Sequence, residues 1–278
     1  MVWIIISIIV IAIVLFCIWQ DNVIVTTKIN YCNKKIPGGF DGFVVVQVSD
    51  LHNRNFGTGN RILLKKIREI SPDIIVVTGD LIDRHKYDLD VALTFIAGAV
   101  KIAPVYYVTG NHEGWSKKYR SISTGLQKLN VKVLDNADCE IKRGNDKITI
   151  IGLADPAFLT TGHQDKTDTS LMEKYLHNLG HDTDFKIALS HRPELFELYV
   201  QNGLDLVFSG HAHGGQFRLP LVGGLYAPEQ GIFPQYTSGE YQKANTAMIV
   251  SRGLGNSLFP VRFNNRPELV VVILSSIS

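Results

Sequence analysis

The sequence predicts an α/β protein: a four-layer αββα sandwich of two mixed sheets with flanking helices, preceded by one transmembrane helix. Three observations point there. The first 20 residues carry no charge and are almost wholly apolar. Beyond residue 41, continuous apolar runs alternate with stretches of helical spacing about every 30 residues, a pattern of buried strands in parallel βαβ units. The second half adds enough apolar runs for a further sheet, and no linker divides the two halves.

Composition bounds the function. Of 278 residues, 28 are Lys or Arg and 26 are Asp or Glu, a net charge of +2. That excludes a strongly basic nucleic-acid arm and an acidic disordered tail. At 45% hydrophobic residues with ordinary Gly and Pro, the chain has material for a sizeable core. Cys17, Cys32 and Cys139 form no CxxC pair, so neither a disulfide framework nor a thiolate zinc site is expected.

The leader comes first in order. Val2 to Trp19 contains one polar residue, Ser7, and as a helix spans roughly 27 Å at 1.5 Å per residue, close to a hydrocarbon core of about 30 Å. In lipid, helix is forced because an open strand leaves its backbone unsatisfied. Trp3 and Trp19 stand at the two ends as interfacial anchors. A cleavable signal peptide needs a basic start and a small-residue cleavage site, and neither is present, so residues 1–20 read as an uncleaved single-pass anchor in a membrane. Lys28, Lys34 and Lys35 favour a cytoplasmic domain, Asp21 opposes them, and the side stays open. Residues 21–40 read as a linker or edge segment, 41–278 as the catalytic domain, and removal of residues 1–30 should leave it soluble and active.

Within that domain, FVVVQVSD ends at Asp50, DIIVVTGD at Asp80 and VYYVTGN at Asn111, with helical spacing over 62–70 and 91–100 between them. Strands are expected at 131–134, 139–142 and 147–153, the last two joined as a hairpin through 143–146. A helix over 169–179 and another over 193–200 flank FKIALSH and LDLVFSGH, Gly/Pro-rich loops fill 210–239, and TAMIVSRG and ELVVVIL close the chain as strands.

The polar residues that terminate these runs carry the chemistry. Ligands of open α/β sheets bind beyond the carboxyl ends of the strands, where Asp50, His52, Asp80, Asn111, His112, His191, His211 and His213 are all placed. Singly, each is explained by a turn or a helix cap. Together, buried carboxylates and imidazoles are costly unless something binds them, and a mixed oxygen and imidazole set without thiolates suits Mn²⁺, Fe or Zn²⁺. The remaining histidines, His85, His163, His177 and His181, fall in polar contexts and read as solvated. His112-Glu113 does not open a zincin motif, because Ser116 stands where a second His is required. No P-loop and no Gly-x-Ser-x-Gly elbow occurs. Arg54 and Arg84 are weighed as phosphate contacts or structural ion pairs, and Trp115, Tyr226 and Phe233 as groove aromatics or local packing.

The blocks DLH (50–52), GDLID (79–83), GNHE (110–113), SH (190–191) and GHAH (210–213), in that order, resemble the calcineurin-like metallophosphoesterases. GHAHGGQFRLP, YAPEQG and RFNNRPE resemble the superfamily's membrane-associated or secreted bacterial branch. The resemblance implies two divalent metal ions, the first on Asp50, His52 and His213, the second on Asn111, His191 and His211, with Asp80 bridging. It implies that His112 is the catalytic non-ligand histidine and that Asp83 orients it. The activity implied is phosphodiester or pyrophosphate hydrolysis by metal-activated hydroxide at the membrane, on a substrate that is soluble, lipid-linked or envelope-derived. A nuclease is the rival enzyme, disfavoured by the lack of a basic stripe, so no nucleic-acid partner is expected. An idle binding scaffold is the rival from another class. Oligomeric state is not legible.

Overall fold

The computed structural model describes residues 1–159, 167–179, 184–256 and 259–277; His163 and His181 lie outside them. The first helix, α1 (Val2–Asn22), buries only Gln20. Strand β1 (Val25–Asn33) follows, then β2 (Val44–Val48), α2 (Arg61–Ile70), β3 (Ile74–Thr78), α3 (Leu89–Ala99), β4 (Val105–Val108), two helices α4 (Asn111–Trp115) and α5 (Tyr119–Lys128), and β5 (Lys132–Val133). A hairpin of β6 (Ala137–Arg143) and β7 (Asp146–Gly152) leads to α6 (Ser170–Asn178), β8 (Lys186–Leu189), α7 (Phe196–Gln201) and β9 (Leu206–Ser209). The chain closes with β10 (Gly239–Lys243), β11 (Thr246–Val250) and β12 (Glu268–Ser276).

The two large sheets are six-stranded, in the orders β1-β12-β2-β3-β4-β5 and β10-β11-β9-β8-β7-β6. Both are mixed. In the first, only the β12–β2 pairing is antiparallel; in the second, the two edge pairings are antiparallel around a parallel centre. The apolar residues sort into three layers that match the alternation of the strands. Val46, Val48, Ile75 and Val77 face Leu63, Ile67, Phe95 and Ile96 of the outer helices. Val45, Val76 and Val108 turn the other way, onto Ile150, Ile187 and Phe208 of the second sheet. That sheet's far face packs on Met172, Leu176, Phe196 and Tyr199. The result is helix, sheet, sheet, helix, the fold class expected.

The helices follow from local chemistry. α2 buries Leu63 and Ile67, four residues apart on one face. α3 starts at Asp88, whose carboxylate accepts the N–H groups of Asp90 and Val91, a side-chain cap for two otherwise unpaired donors. The short α4 and α5 were not foreseen, since the apolar positions between residues 111 and 128 are sparse.

Two features position the site. Gln47, fully buried in the middle of β2, donates through Nε2 to Thr78 Oγ1 at 2.9 Å and to Ser209 O at 2.8 Å, so one side chain ties the ends of β3 and β9 across the two sheets. At the other extreme, the last turn of α1 is packed on the domain. Gln20 accepts the Asn265 N–H, Asp21 accepts the Arg262 N–H, and Arg54 donates to the Asp21 carbonyl at 2.7 Å. Arg54 is thereby a structural clamp.

Residues Val25–Asn33 pair along their whole length with β12 in parallel register, so removal of residues 1–30 would cut through an edge strand and expose the next. We expect a chain beginning at Gln20 to give a cooperative thermal transition, whereas one beginning at Lys34 aggregates, because an unpaired apolar edge invites association. Soluble yield and melting curves measure the difference.

Candidate metal centre

The strand ends deliver their polar residues through strained backbone. Asp50, His52, Asp80, His211 and His213 all have φ between 46° and 64°, the left-handed region that non-glycine residues seldom occupy and that costs on the order of 1–3 kcal/mol each. The turn taken there swings each side chain off its strand and into a common hollow. Glycines make the close approach feasible. A Cβ on Gly110 would stand 2.3 Å from Asp80 Oδ1 and 2.6 Å from Asp80 N; one on Gly79, at φ +84°, would stand 2.6 Å from His191 Nδ1.

The hollow contains two groups of donor atoms. In one, His213 Nε2 lies 3.1 Å from His52 Nε2 and 3.3 Å from Asp50 Oδ1. In the other, His191 Nε2 lies 3.1 Å from both Asn111 Oδ1 and His211 Nδ1. Asp80 stands between them, its Oδ2 at 3.6 Å from His52 Nε2 and 3.3 Å from His191 Nε2. All seven side chains are buried. The donor set fits divalent cations: lone pairs of imidazoles, carboxylates and an amide converge without a thiolate, and such groups face one another stably only around positive charge. The rings are oriented from behind, as His191 Nδ1 donates to Thr78 O at 2.8 Å, which frees Nε2 for the hollow.

Electrostatics runs in both directions. Burial pulls the His52 imidazole down to about 3, reinforced by His112. At His191 the same burial is outweighed by Asp80, which lifts the imidazole to about 10. Against its own burial, Asp80 is held well below the usual carboxylate range by His191 and His112.

His112 borders the hollow, its ring 4.4 Å from that of His52. The Arg84 N–H donates to His112 Nδ1 at 3.1 Å, leaving Nε2 as the ring nitrogen available to the cavity. Asp83 Oδ1 is 3.9 Å from His112 Nδ1 and accepts the N–H groups of His85 and Lys86 instead, so its influence on His112 is electrostatic rather than through a hydrogen bond. A pocket of about 330 Å³ opens beside these groups, lined by Arg84, His85, Trp115, Tyr226 and Glu229 among others. Arg84 stacks on Trp115 at 4.5 Å and donates to His85; His85 stands at the pocket mouth and is exposed, as its polar sequence context implies. Phe233 is exposed outside it.

Several supporting residues were missed by sequence reasoning. Glu229 Oε2 contacts His211 Nε2 at 2.6 Å; against the cost of burial, His211 and Arg192 hold that carboxyl down at about 2. Arg192, 2% exposed, makes a two-pronged bond to Asp155 at 2.7 and 3.0 Å and reaches Glu229 at 3.2 Å. Glu113 accepts the N–H groups of Asp80, Ile82 and Gly110, fastening two rim loops together, and burial and Asp80 push it up to about 8. The only sequence signals were positional: Arg192 follows His191, Glu113 follows His112, and Glu229 sits in YAPEQG.

The model of the calcineurin-like phosphoesterase family matches residues 43–215. The chain belongs to that family. It is 33% identical over 272 residues to a protein of Bacillus subtilis named as the uncharacterized metallophosphoesterase YkuE, an alignment covering 92% of this chain and 87% of that one. A Bos taurus "transmembrane protein with metallophosphoesterase domain" is 26% identical over 265 residues, 87% of this chain, which spans about half (55%) of that relative. Among solved structures, TT1561 of Thermus thermophilus superposes with a TM-score of 0.52 at 12% identity, over 76% of this chain and 90% of the other, a likeness of fold. As a member of the calcineurin-like family with these buried donor clusters, the protein is a metal-dependent phosphoesterase, a hydrolase of phosphoric esters.

Gly110→Ala drives a methyl into Asp80, and we expect metal content to fall together with a stability loss of about 1–3 kcal/mol, as for overpacking. Metal analysis and thermal denaturation test both. Glu229→Ala, which leaves the fold's core intact, is expected to weaken metal affinity about 10–100-fold, the usual effect of losing a group behind a ligand, measured by competition with a chelator.

Proposed function

We propose that the protein is a membrane-tethered phosphohydrolase that holds two divalent ions and cleaves a phosphodiester or pyrophosphate bond. Asp50, His52 and His213 hold one ion, Asn111, His191 and His211 the other, and Asp80 bridges them. The observation that carries this reading is the placement of Asp80 Oδ2 between the two donor groups, within 3.6 Å of His52 Nε2 and 3.3 Å of His191 Nε2. Mn²⁺, Fe and Zn²⁺ all suit the donors. When bound, such a pair polarises phosphoryl oxygens and acidifies a water.

The chain's own residues supply the rest. His112 protonates the departing oxygen: its Nδ1 is engaged by the Arg84 N–H, and Nε2 faces the cavity side of the ring. Charging His112 breaks that backbone bond, and burial lowers its pKa below 6.5 although Asp80 and Asp83 pull the other way. The sign follows. A proton donor works only when charged, so this contribution is present below the His112 pKa and lost as pH rises through it. The negative charge of Asp83, 3.9 Å away, favours the charged ring without a hydrogen bond. Arg84, stacked on Trp115 at the pocket wall, is placed to receive a phosphate oxygen, since its planar fork matches that geometry. Asp155, Arg192 and Glu229 keep His211 in the orientation its donor role needs.

Tethering rests on α1, one helix long and apolar enough to cross a membrane, and on its packed junction with the domain. A signal sequence passes the same length and composition test. The contacts of Gln20 and Asp21 favour retention, because cleavage after them would remove two partners that the folded domain uses.

We expect a chromogenic phosphodiester to be hydrolysed with added Mn²⁺, and His112→Ala to lower kcat about 10²–10⁴-fold while metal stoichiometry stays unchanged. The pH–rate profile of wild type should carry a falling limb that the variant lacks. Asp80→Asn should reduce metal content at both positions, whereas His213→Ala should empty one. Two metals bound to an inert wild-type enzyme across a phosphoester panel would overturn the assignment.

A further inference from the structure

Next to the end of α1 lies a ribbon of extended segments whose outer face the proposed reaction does not use. Phe217 pairs with Phe263 in an isolated bridge, Leu225 N–H donates to Phe217 O, and Phe233 N–H donates to Leu225 O. Four segments are thus aligned side by side, leading away from α1. With Phe259, which packs on Phe217, they expose large apolar side chains: Phe263 39% exposed, Phe259 45%, Val222 55%, Phe233 68%, Ile232 74%, and Leu221 fully exposed. Leu221 and Phe233 also hold φ of 68° and 56°. Bulky apolar side chains on strained, exposed backbone are poor choices for contact with water.

The position of α1 says what covers them. Its apolar run ends at Trp19, followed by Gln20 and Asp21, so Trp19 marks the hydrocarbon boundary of a spanning helix. Phe16 lies three residues, about 4.5 Å, to the lipid side of Trp19. The Phe263 ring packs on Phe16 at a centroid distance of 5.7 Å, and the Arg266 guanidinium stacks on Trp19 at 4.7 Å. A loop that touches Phe16 therefore reaches the boundary itself, with a cation at headgroup height. The ribbon continues from that loop.

The same ribbon borders the metal site. Tyr226 opens the short hairpin of Tyr226–Ala227 and Gly231–Ile232, Glu229 at its bend contacts His211, and Tyr226, Pro228 and Glu229 line the pocket. Ile232 and Phe233 leave that hairpin on its exposed side. We propose that this ribbon is a membrane-embedded platform and that the pocket mouth stands at headgroup height, so that the substrate is a phosphoester borne by a lipid. The substrate half rests on the hydrolase reading above; the platform half does not.

Single full-length chains in lipid nanodiscs test it, with a fluorescent amino acid at position 221, 233 or 244. The first two sites are expected to lose at least about half their emission when the lipids carry bromine on the acyl chains, and exposed residue 244, in the β10–β11 turn at the opposite end of the second sheet, to lose none. Equal, weak quenching at all three overturns the platform. So does shielding of 233 only in particles holding two chains, which assigns the patch to a second copy. For the substrate, the triple variant Leu221→Asp, Ile232→Asp, Phe233→Asp should hydrolyse a phosphodiester lipid in vesicles at least tenfold more slowly than wild type and a soluble chromogenic diester at the same rate. Equal loss, or no loss, on both substrates overturns it. Wild type inert on both refutes the hydrolase reading and leaves the quenching result to decide the platform.

Discussion

Everything at the rim depends on a single carboxylate being held where it cannot relax. Asp80 has its N–H taken by Glu113, its Oδ1 bonded by the His112 N–H at 2.8 Å, and its Oδ2 within salt-bridge distance of imidazoles from two different sheets. The backbone beneath it is left-handed, and Gly110 presses against it with no room for a methyl group. A buried anion under so many constraints is destabilising by itself. It is tolerated because the two sheets, pinned by Gln47, bring opposite ends of the chain to the same point. The core supplies the rigidity, and the rim spends some of it on strain.

Most of the architecture could be read from the alternation of apolar runs because fully buried parallel strands leave a strong mark in sequence. FVVVQV, DIIVVT and LDLVFS each became a strand in the middle of a sheet. The helices α4 and α5 escaped because their burial rests on few residues, Ile122 and Leu126 in α5, and a five-residue helix such as α4 has no period to detect. The hairpins between residues 218 and 232 escaped for a related reason. Two-residue strands carry no alternation, and glycine-rich spacing reads as loop.

The seven proposed ligands were identifiable because each follows a strand directly, and strand ends of an α/β fold converge by topology. The residues that support them have no such rule. Asp155 and Glu229 each lie 37 positions from Arg192, and a buried arginine between two carboxylates is visible only once the chain is folded. Arg54 and Arg84 show the limit of reading by proximity in sequence. Both follow a motif block, yet one fastens the apolar helix α1 while the other faces the pocket.

The parallel pairing of β1 with β12 reaches beyond the finished structure. Thr27 donates to Glu268 across 241 positions of sequence, so β1, the strand that follows α1, acquires its neighbour only after all of the intervening chain has been synthesised. Contacts of such long separation form late. During translation α1 emerges first, and β1 waits beside it with an open edge. The order of biosynthesis thus makes the C-terminal strand a latch: until it arrives, the nascent domain is an exposed sheet margin beside an apolar helix, the state in which quality-control factors would encounter it.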